Sequence, residues 1–169
     1  MDGGETIDVQ TAVNRVGTPR PWAMLRFKLV FAWLILGITV QAQNAPAEVE
    51  ARKAMDAFMT AFNSRDARAW AATLNYPHVR LASGEVRVYK TADEFATEMR
   101  DYWKRLAPWH HSKWESMNAI QSGPDKVHFA VTFVRYDAGG KEIGRFPSLY
   151  VVTLQNGHWG VQARSSFAP

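Results

Sequence analysis

Two residues able to do chemistry stand two positions apart in the segment NYPHVRLASG, which covers 75–84. The segment predicts a short strand that runs into a turn, so His78 and Arg80 share one face and Val79 and Leu81 the other. This pair can act on a substrate only if it faces a pocket rather than water. The apolar neighbours favour an outward pair, whereas the twist of a narrow hairpin favours an inward one. The sequence leaves both orientations open.

The composition excludes several other kinds of site. The chain has no cysteine, which excludes disulfides, thiolate zinc sites and cysteine nucleophiles. His110 and His111 are neighbours in a predicted strand and therefore point to opposite faces, and neither His-Glu-x-x-His nor His-x-His occurs, so we expect no metal site. We expect no cofactor either. The net charge of +4 comes from scattered Lys and Arg, which predicts no nucleic-acid partner.

A targeting segment precedes the predicted domain. Residues 24–42 combine basic Arg26 and Lys28, an apolar run over 29–40 and small residues in the motif Val40-Gln41-Ala42. This pattern predicts a signal peptide cleaved near Ala42 and a periplasmic or secreted protein. The run is shorter than the about 20 apolar residues of a membrane helix, so we expect no stable membrane span. Residues 1–23 contain acidic Asp2, Glu5 and Asp8 and the prolines Pro19 and Pro21, which do not suit a signal peptide and suggest a non-native extension with a translation start at Met24.

The mature domain, 43–169, has the pattern of an α+β fold. Apolar spacing predicts helices over 47–63, over 64–75 with Asp66 near its start, and over 91–107 with a Thr91–Glu94 capping box. A hairpin around Ser83-Gly84 and four long strands separated by turns at 122–125, 137–142 and 155–158 complete it. We expect about three N-terminal helices on the concave face of a strongly curved, cone-shaped antiparallel sheet.

The turns also predict which residues share a face of the sheet. A two-residue turn at Asn156-Gly157 and four-residue loops at 122–125 and 138–141 place one coherent apolar face toward the helices. Polar residues interrupt that face, and we interpret them, with two aromatic neighbours, as the lining of a ligand pocket. The alternative is that they bind helix backbone or trapped water. The predicted ligand-binding residues are Trp114, Ser116, Asn118, Phe129, Ser148, Tyr150 and Ser165.

The opposite face of the predicted sheet is too apolar to be covered only by water. We therefore expect it to contact a partner. Its predicted members are His128, Ala130, Thr132, Val134, Leu149, Val151, Gln162 and Arg164.

Two segments resemble the nuclear transport factor 2-like superfamily, which includes ketosteroid isomerase, scytalone dehydratase and SnoaL-like polyketide cyclases. They are AMDAFMTAFNSRDARAWAATLNYPHVRLASGEV and RYDAGGKEIGRFPSLYVVTLQNGHWGVQARSSF, and with the order of elements the likeness covers the mature chain. The resemblance implies a pocket between the concave face and the helices, and often a dimer. Catalytic members use a pocket carboxylate as base, but no Asp or Glu is predicted to point inward here, and Glu115 falls on the outer face.

Three functions therefore remain open from the sequence. We favour an exported, cofactor-free domain that binds an apolar small molecule with weak or no catalysis, and forms a homodimer through the outer sheet face. The first alternative is an isomerase, dehydratase or cyclase acting on an apolar carbonyl or cyclic substrate, with His78 as general base and Tyr150 as oxyanion donor. The second is a dimeric interaction module.

Overall fold

The computed structural model describes residues 46–82 and 84–168, and the predicted signal peptide and N-terminal extension lie outside these ranges. The first element is helix α1 over 46–63. The elements that follow are α2 (Ala67–Ala71), β1 (Leu74–Ala82), β2 (Glu85–Tyr89), α3 (Ala92–Met99), a 3-10 helix (Tyr102–Leu106), β3 (His111–Ser122), β4 (Lys126–Tyr136), β5 (Glu142–Gln155) and β6 (His158–Ser166).

The six strands form one sheet in the order β2-β1-β6-β5-β4-β3. All neighbouring pairs are antiparallel except β1 and β6, which run parallel. The predicted α+β class is therefore confirmed, with a mostly antiparallel sheet. Helices precede and interrupt the strands and cover one face. No helix in the described ranges has the length and apolar character needed to cross a membrane.

Local sequence signals explain the ends of the helices. The carboxylate of Asp66 accepts hydrogen bonds from the backbone N–H groups of Arg68 and Ala69, which caps α2. At α3, the Thr91 hydroxyl accepts from the Glu94 N–H at 3.2 Å, and the Glu94 carboxylate accepts from the backbone N–H of Lys90. The predicted capping box is thus confirmed in outline.

The single helix predicted over 91–107 is wrong beyond Met99. The chain leaves α3 there and winds more tightly over Tyr102–Leu106. This change of winding buries Tyr102 and lets the Trp103 indole donate a hydrogen bond to the carbonyl of Phe62 at 3.0 Å. Tertiary packing of the two aromatic residues therefore overrides the helical period.

An aromatic core joins the helices to the inner face of the sheet. Trp70 of α2 is fully buried and packs edge-on against Phe58 and Phe62 of α1 and Phe95 of α3. From the sheet, Phe129, Val131 and Tyr150 belong to the same buried cluster. The helices that the sequence predicts to be amphipathic are therefore held by the residues that fall on their apolar faces.

The register of the sheet is predicted correctly in part. Phe133 pairs with Phe146, and Val127 with Val152, as the loop at 138–141 predicts. The Asn156-Gly157 turn is also confirmed, with both residues at positive φ and Leu154 paired with Trp159. Elsewhere the register shifts. β3 slips relative to β4 between Trp114 and Ser116 and again between Ala119 and Gln121, and β6 slips relative to β5 between Val161 and Ala163.

These shifts are β-bulges, and each exchanges the two faces of the strand that follows it. Beyond the bulge in β3, Met117 and Ala119 join the core and Ser116 and Asn118 move to the outer face. Beyond the bulge in β6, Arg164 turns inward and is buried, while Ser165 is exposed. The predicted inner-face positions of Ser116, Asn118 and Ser165 are therefore wrong, and so is the predicted outer-face position of Arg164.

Candidate functional site

The residues predicted to line one pocket are divided between the two faces of the sheet. Ser116, Asn118 and Ser165 line a shallow groove on the outer face together with Leu149 and Phe167. Their prediction assumed regular alternation, which the bulges break.

Four of the predicted residues, Trp114, Phe129, Ser148 and Tyr150, lie on the inner face of the sheet as predicted, and of these four only Tyr150 lines the inner cavity. Phe129 and Tyr150 are buried neighbours on β4 and β5. Trp114 packs edge-on against Tyr150, with ring centroids 5.5 Å apart. Ser148 is buried, and its hydroxyl donates a hydrogen bond to the Ser166 hydroxyl at 2.9 Å.

His78 and Arg80 both point inward, which answers the question left open by the sequence. His78 has no exposed surface, and its Nδ1 lies 3.0 Å from the carbonyl oxygen of Val161. Its ring packs against Tyr89 and Phe95, and Nε2 is buried without a hydrogen-bond partner. Burial, reinforced by the charge of Arg164, lowers the pKa of His78 to about 4. The imidazole is therefore neutral near pH 7.

A narrow cavity lies between α1, the 3-10 helix and the inner face of the sheet. It encloses about 20 Å³, room for about one water molecule, so a larger ligand enters only if lining side chains move. His78 is not among the residues that line this cavity, so His78 and Tyr150 do not face one common space. The lining residues are Phe58, Met59, Phe62, Tyr102, Ser112, Phe133, Arg135, Tyr150 and Arg164.

Three arginines, Arg80, Arg135 and Arg164, reach the interior around this cavity, and we call them the arginine cluster. Each is buried, with 8%, 7% and 8% of its surface exposed. Arg80 and Arg164 are direct neighbours across the parallel β1–β6 pair, and Arg164 in turn neighbours Tyr150 across β5–β6. Like charges at directly opposed positions destabilise a sheet, so this row costs stability unless other groups offset the charge.

Among the described residues, no carboxylate is buried beside the arginine cluster. No Asp or Glu is buried in the described ranges, and no ion pair found there includes a member of the cluster. The Nε atoms of all three arginines, and Nη2 of Arg164, are buried without a hydrogen-bond partner. Aromatic rings hold the guanidinium groups instead: Arg164 lies 5.5 Å from the Trp70 ring, and Arg135 lies 4.9 Å from the Phe146 ring.

The cluster sets the electrostatics of the two tyrosines in the cavity. Burial raises the pKa of Tyr150, and the charge and donor groups of Arg164 oppose that rise. Burial acts in the same direction on Tyr102, but the charges of Arg164, Arg135 and Arg80 together outweigh it and lower the pKa of Tyr102. Burial also lowers the pKa of Arg135. The cavity therefore favours negative charge, and it contains donors that could bind an anion.

The two adjacent histidines form a different arrangement from the predicted one. His111 starts β3, whereas His110 precedes the strand, and their Nδ1 atoms lie 3.2 Å apart rather than on opposite faces. They remain a pair: no group of three or more His, Cys, Asp or Glu able to hold a metal ion occurs in the part of the chain that the structure describes.

Sequence reasoning missed the arginine cluster. The sequence leaves the orientation of the Arg80 side chain open and predicts Arg164 on the outer face. It predicts no role for Arg135. The signal that points to them is an arginine within an otherwise apolar strand, as in VTFVRY over 131–136. Such a residue is costly to bury and therefore needs a partner.

Comparison with known proteins defines the class. The fold is similar to that of a ketosteroid isomerase-like protein from Erwinia carotovora atroseptica, with a TM-score of 0.54, 20% identity, and coverage of 72% of this chain and 96% of that one. It is also similar to a protein of unknown function with a cystatin-like fold from Nostoc punctiforme, with a TM-score of 0.59, 16% identity, and coverage of 74% and 92%. At identities of 20% and 16%, these structural similarities show a shared fold alone.

A third similar structure comes from Catenulispora acidiphila and was solved in complex with S-DNPA; its TM-score is 0.59, with 12% identity and coverage of 73% and 93%. A search of curated proteins found no match. The family model described as "NTF2-like protein (DUF6841)" matches residues 47–166. The chain therefore belongs to this family of NTF2-like proteins, which confirms the resemblance to the nuclear transport factor 2-like superfamily.

Proposed function

We propose that this domain binds a small molecule that carries an anionic group on an apolar body. The observation that supports this most directly is the arginine cluster: three buried guanidinium groups without a buried carboxylate, beside a cavity. The sequence predicts an apolar ligand, and the cluster adds a negative charge to that prediction. Weak or absent catalysis and the lack of a cofactor remain part of the proposal.

The energetic argument rests on the cost of isolated buried charge. Removing an ion from water costs several kcal/mol even after the protein relaxes, and an opposite charge with good hydrogen bonds offsets that cost. Here no buried carboxylate of the described residues supplies the opposite charge. An anion bound beside Arg164 and Arg135, the two arginines that line the cavity, would supply it.

The walls of the cavity favour an apolar body on the ligand. Phe58, Phe62 and Phe133 line it, and Met59 adds a flexible side chain that adapts to shape. Tyr150 faces the same space with a hydroxyl that can donate to the ligand. The similar structure from Catenulispora acidiphila, solved in complex with S-DNPA, supports ligand binding by this fold.

Titration calorimetry with matched probes tests the proposal on the full chain. Benzoate and acetate carry the charge, whereas benzamide has nearly the shape of benzoate without the charge. We expect benzoate to bind and benzamide not to. Arg164→Met keeps the length of the side chain and removes the charge, so benzoate affinity should fall by about tenfold or more, because hydrogen bonds to charged groups contribute about 1.5–3 kcal/mol.

Folding stability separates a binding role from a structural one. Because Arg164 has no acidic partner, Arg164→Met should leave the free energy of unfolding unchanged or raise it. Arg68→Met is the matched control, since Arg68 is exposed on α2. It should change neither the free energy of unfolding nor the affinity for benzoate. Equal binding of benzoate and benzamide, or no binding of either carboxylate, would contradict the proposal. So would a large stability loss in Arg164→Met with benzoate affinity intact.

A second candidate function concerns the outer face of the sheet. We propose that this face forms a homodimer, because Leu149 and Phe167 are 51% and 83% exposed beside the shallow groove, and exposed apolar patches mark interaction surfaces.

The sequence-based proposals of a signal peptide over 24–42 and export to the periplasm or medium rest on the pattern of that segment. Catalysis by His78 and Tyr150 has less support, because His78 does not line the cavity.

A further inference from the structure

Tyr102 lies at the boundary between the cavity and the protein surface. The 3-10 helix buries it, with 7% of its surface exposed. It lines the cavity together with Arg135 and Arg164, and it also lines a groove on the surface that includes Arg80 and Glu98. Tyr102 is the residue that the linings of the groove and the cavity share.

The charged groups that face Tyr102 come from strands β1, β4 and β6 and from the 3-10 helix. The strands contribute Arg80, Arg135 and Arg164, and the guanidinium group of Arg105 lies 5.2 Å from the centre of the tyrosine ring. Tyr150 is the other phenol in the cavity. Two carboxylates line the same surface groove. Glu85 lies 2.9 Å from Arg87, and Glu98 accepts a hydrogen bond from the Tyr89 hydroxyl at 2.9 Å and lies 3.7 Å from Arg87.

Guanidinium groups are donors only, so they can donate to the Tyr102 oxygen but cannot accept its proton. Arg80 and Arg135 are placed to donate in this way. An oxygen surrounded by such donors is served better as a phenolate than as a phenol. Arg135, which lines the cavity beside Tyr102, is also one of the donors proposed to hold the anionic group of the ligand.

We propose that Tyr102 is a specificity-determining residue whose phenolate competes with the anionic ligand for the arginine cluster, so that ligand binding is coupled to uptake of one proton by Tyr102. This inference rests on the proposed function. It adds that the Tyr102 phenolate can neutralise the arginine cluster when no anion is bound. Only an anion that displaces this phenolate from the arginines then binds well.

The sign of the coupling follows from the charges. In the empty site, Arg164, Arg135 and Arg80 hold the pKa of Tyr102 below its ordinary range, although burial acts in the other direction. A bound anion neutralises the guanidinium groups and repels a phenolate, so it raises the pKa of Tyr102. Affinity for the anion is then highest at pH values below the pKa of Tyr102 in the free protein. Between that pKa and the higher pKa of Tyr102 in the complex, affinity falls by about tenfold per pH unit.

Ultraviolet titration of tyrosinate in the full chain, with and without benzoate, tests the coupling. The other buried tyrosines ionise later, since burial raises the pKa of Tyr89 to about 12 and also raises the pKa of Tyr76 and Tyr150. We expect one tyrosine to ionise early, and benzoate to move that step to higher pH. The step should be absent in Tyr102→Phe and present in the control Tyr136→Phe, since Tyr136 stacks on His111 and does not line the cavity.

Calorimetry at pH 7 and pH 10 completes the test. Benzoate affinity should fall with pH in the wild-type protein and stay constant in Tyr102→Phe. If benzoate binds with the same pH dependence in both, or moves no tyrosinate step, the coupling is contradicted while the anion site stands. If neither benzoate nor acetate binds at either pH, the proposed function fails, and the coupling fails with it. The benzoate-induced shift in the wild-type protein decides the matter even if Tyr102→Phe does not fold.

Discussion

Arg164 is held in the cavity wall by the faces of aromatic rings. Its guanidinium group lies 5.9 Å from the Phe58 ring and 5.5 Å from the Trp70 ring. Such contacts use the π face of the ring and leave the N–H groups in the guanidinium plane free. Nε and Nη2 are indeed without a partner. The side chain is therefore fixed in position before a ligand arrives, which lowers the entropic cost of binding.

His78 makes the stability of the domain sensitive to acid. Its pKa falls from 6.5 to about 4 in the folded protein, so the unfolded chain binds a proton first as the pH drops. The contribution of neutral His78 to the free energy of unfolding is fully present above pH 6.5 and is lost progressively as the pH falls from 6.5 through 4. The loss should approach roughly 3 kcal/mol, because one pKa unit corresponds to about 1.36 kcal/mol.

Urea unfolding at several pH values between 7 and 4 measures this effect. His78→Gln should be less stable than the wild-type protein at pH 7, yet its stability should change less over that range. The exposed His110 gives a matched control, and His110→Gln should keep the wild-type slope. A slope that is the same in His78→Gln and in the wild-type protein would show that other groups cause the loss.

At the scale of elements, turns are easier to predict than bulges. The Asn156-Gly157 signal is local and requires positive φ at both positions, so it identified the β5–β6 turn correctly. The bulge near Gln162 has no such local signal. The Gln162 side chain accepts from Thr153 and Gln155 and donates to the carbonyl of Pro77. Three strands therefore stabilise this bulge together, and the sequence of β6 alone does not contain that information.

The same reasoning explains which site residues could be found. The sequence predicts the inward facing of Tyr150 correctly, because Tyr150 pairs with Phe129 in a part of β4 and β5 that has no register shift. Arg164 was placed outside because one bulge separates it from the turn that set the register. The arginine cluster joins residues from β1, β4 and β6, so its recognition required the strand order and both faces at once.

The Thr91 cap should contribute measurably to the stability of α3, the helix that carries Phe95 and Met99 into the core. Thr91→Ala removes the acceptor for the Glu94 N–H and should cost about 1 kcal/mol in the free energy of unfolding. Thr97→Ala is the matched control, since Thr97 is exposed on the same helix and makes no cap. Urea unfolding curves compare them. Equal stability of the two variants would show that packing alone holds α3.

At the scale of the whole molecule, the two faces of the sheet have different proposed roles. The inner face holds the arginine cluster, and the outer face exposes Leu149 and Phe167 beside small polar residues. A homodimer through the outer face would bury these apolar groups and leave the cavity on the other face of each sheet. Binding and association would then be separable by mutation.

Light scattering coupled to gel filtration tests the dimer. The full chain should have the mass of a dimer, and Leu149→Lys should shift it toward the monomer, because a buried unpaired charge opposes association. Val86→Lys is the control, since Val86 is 67% exposed on β2, away from the groove. A wild-type monomer, or equal effects of the two substitutions, would contradict an interface on the outer face.

The most direct test of the anion site is a crystal soaked in bromide, because this small anion suits a narrow cavity and its anomalous scattering identifies it. We expect an ordered bromide inside the cavity, in contact with Arg164 and Arg135, at a bromide concentration that leaves exposed cations such as Arg68 without ordered anions. Bromide ordered only at exposed arginines and lysines, with the cavity free of anomalous density, would contradict the proposal that the arginine cluster exists to bind an anion.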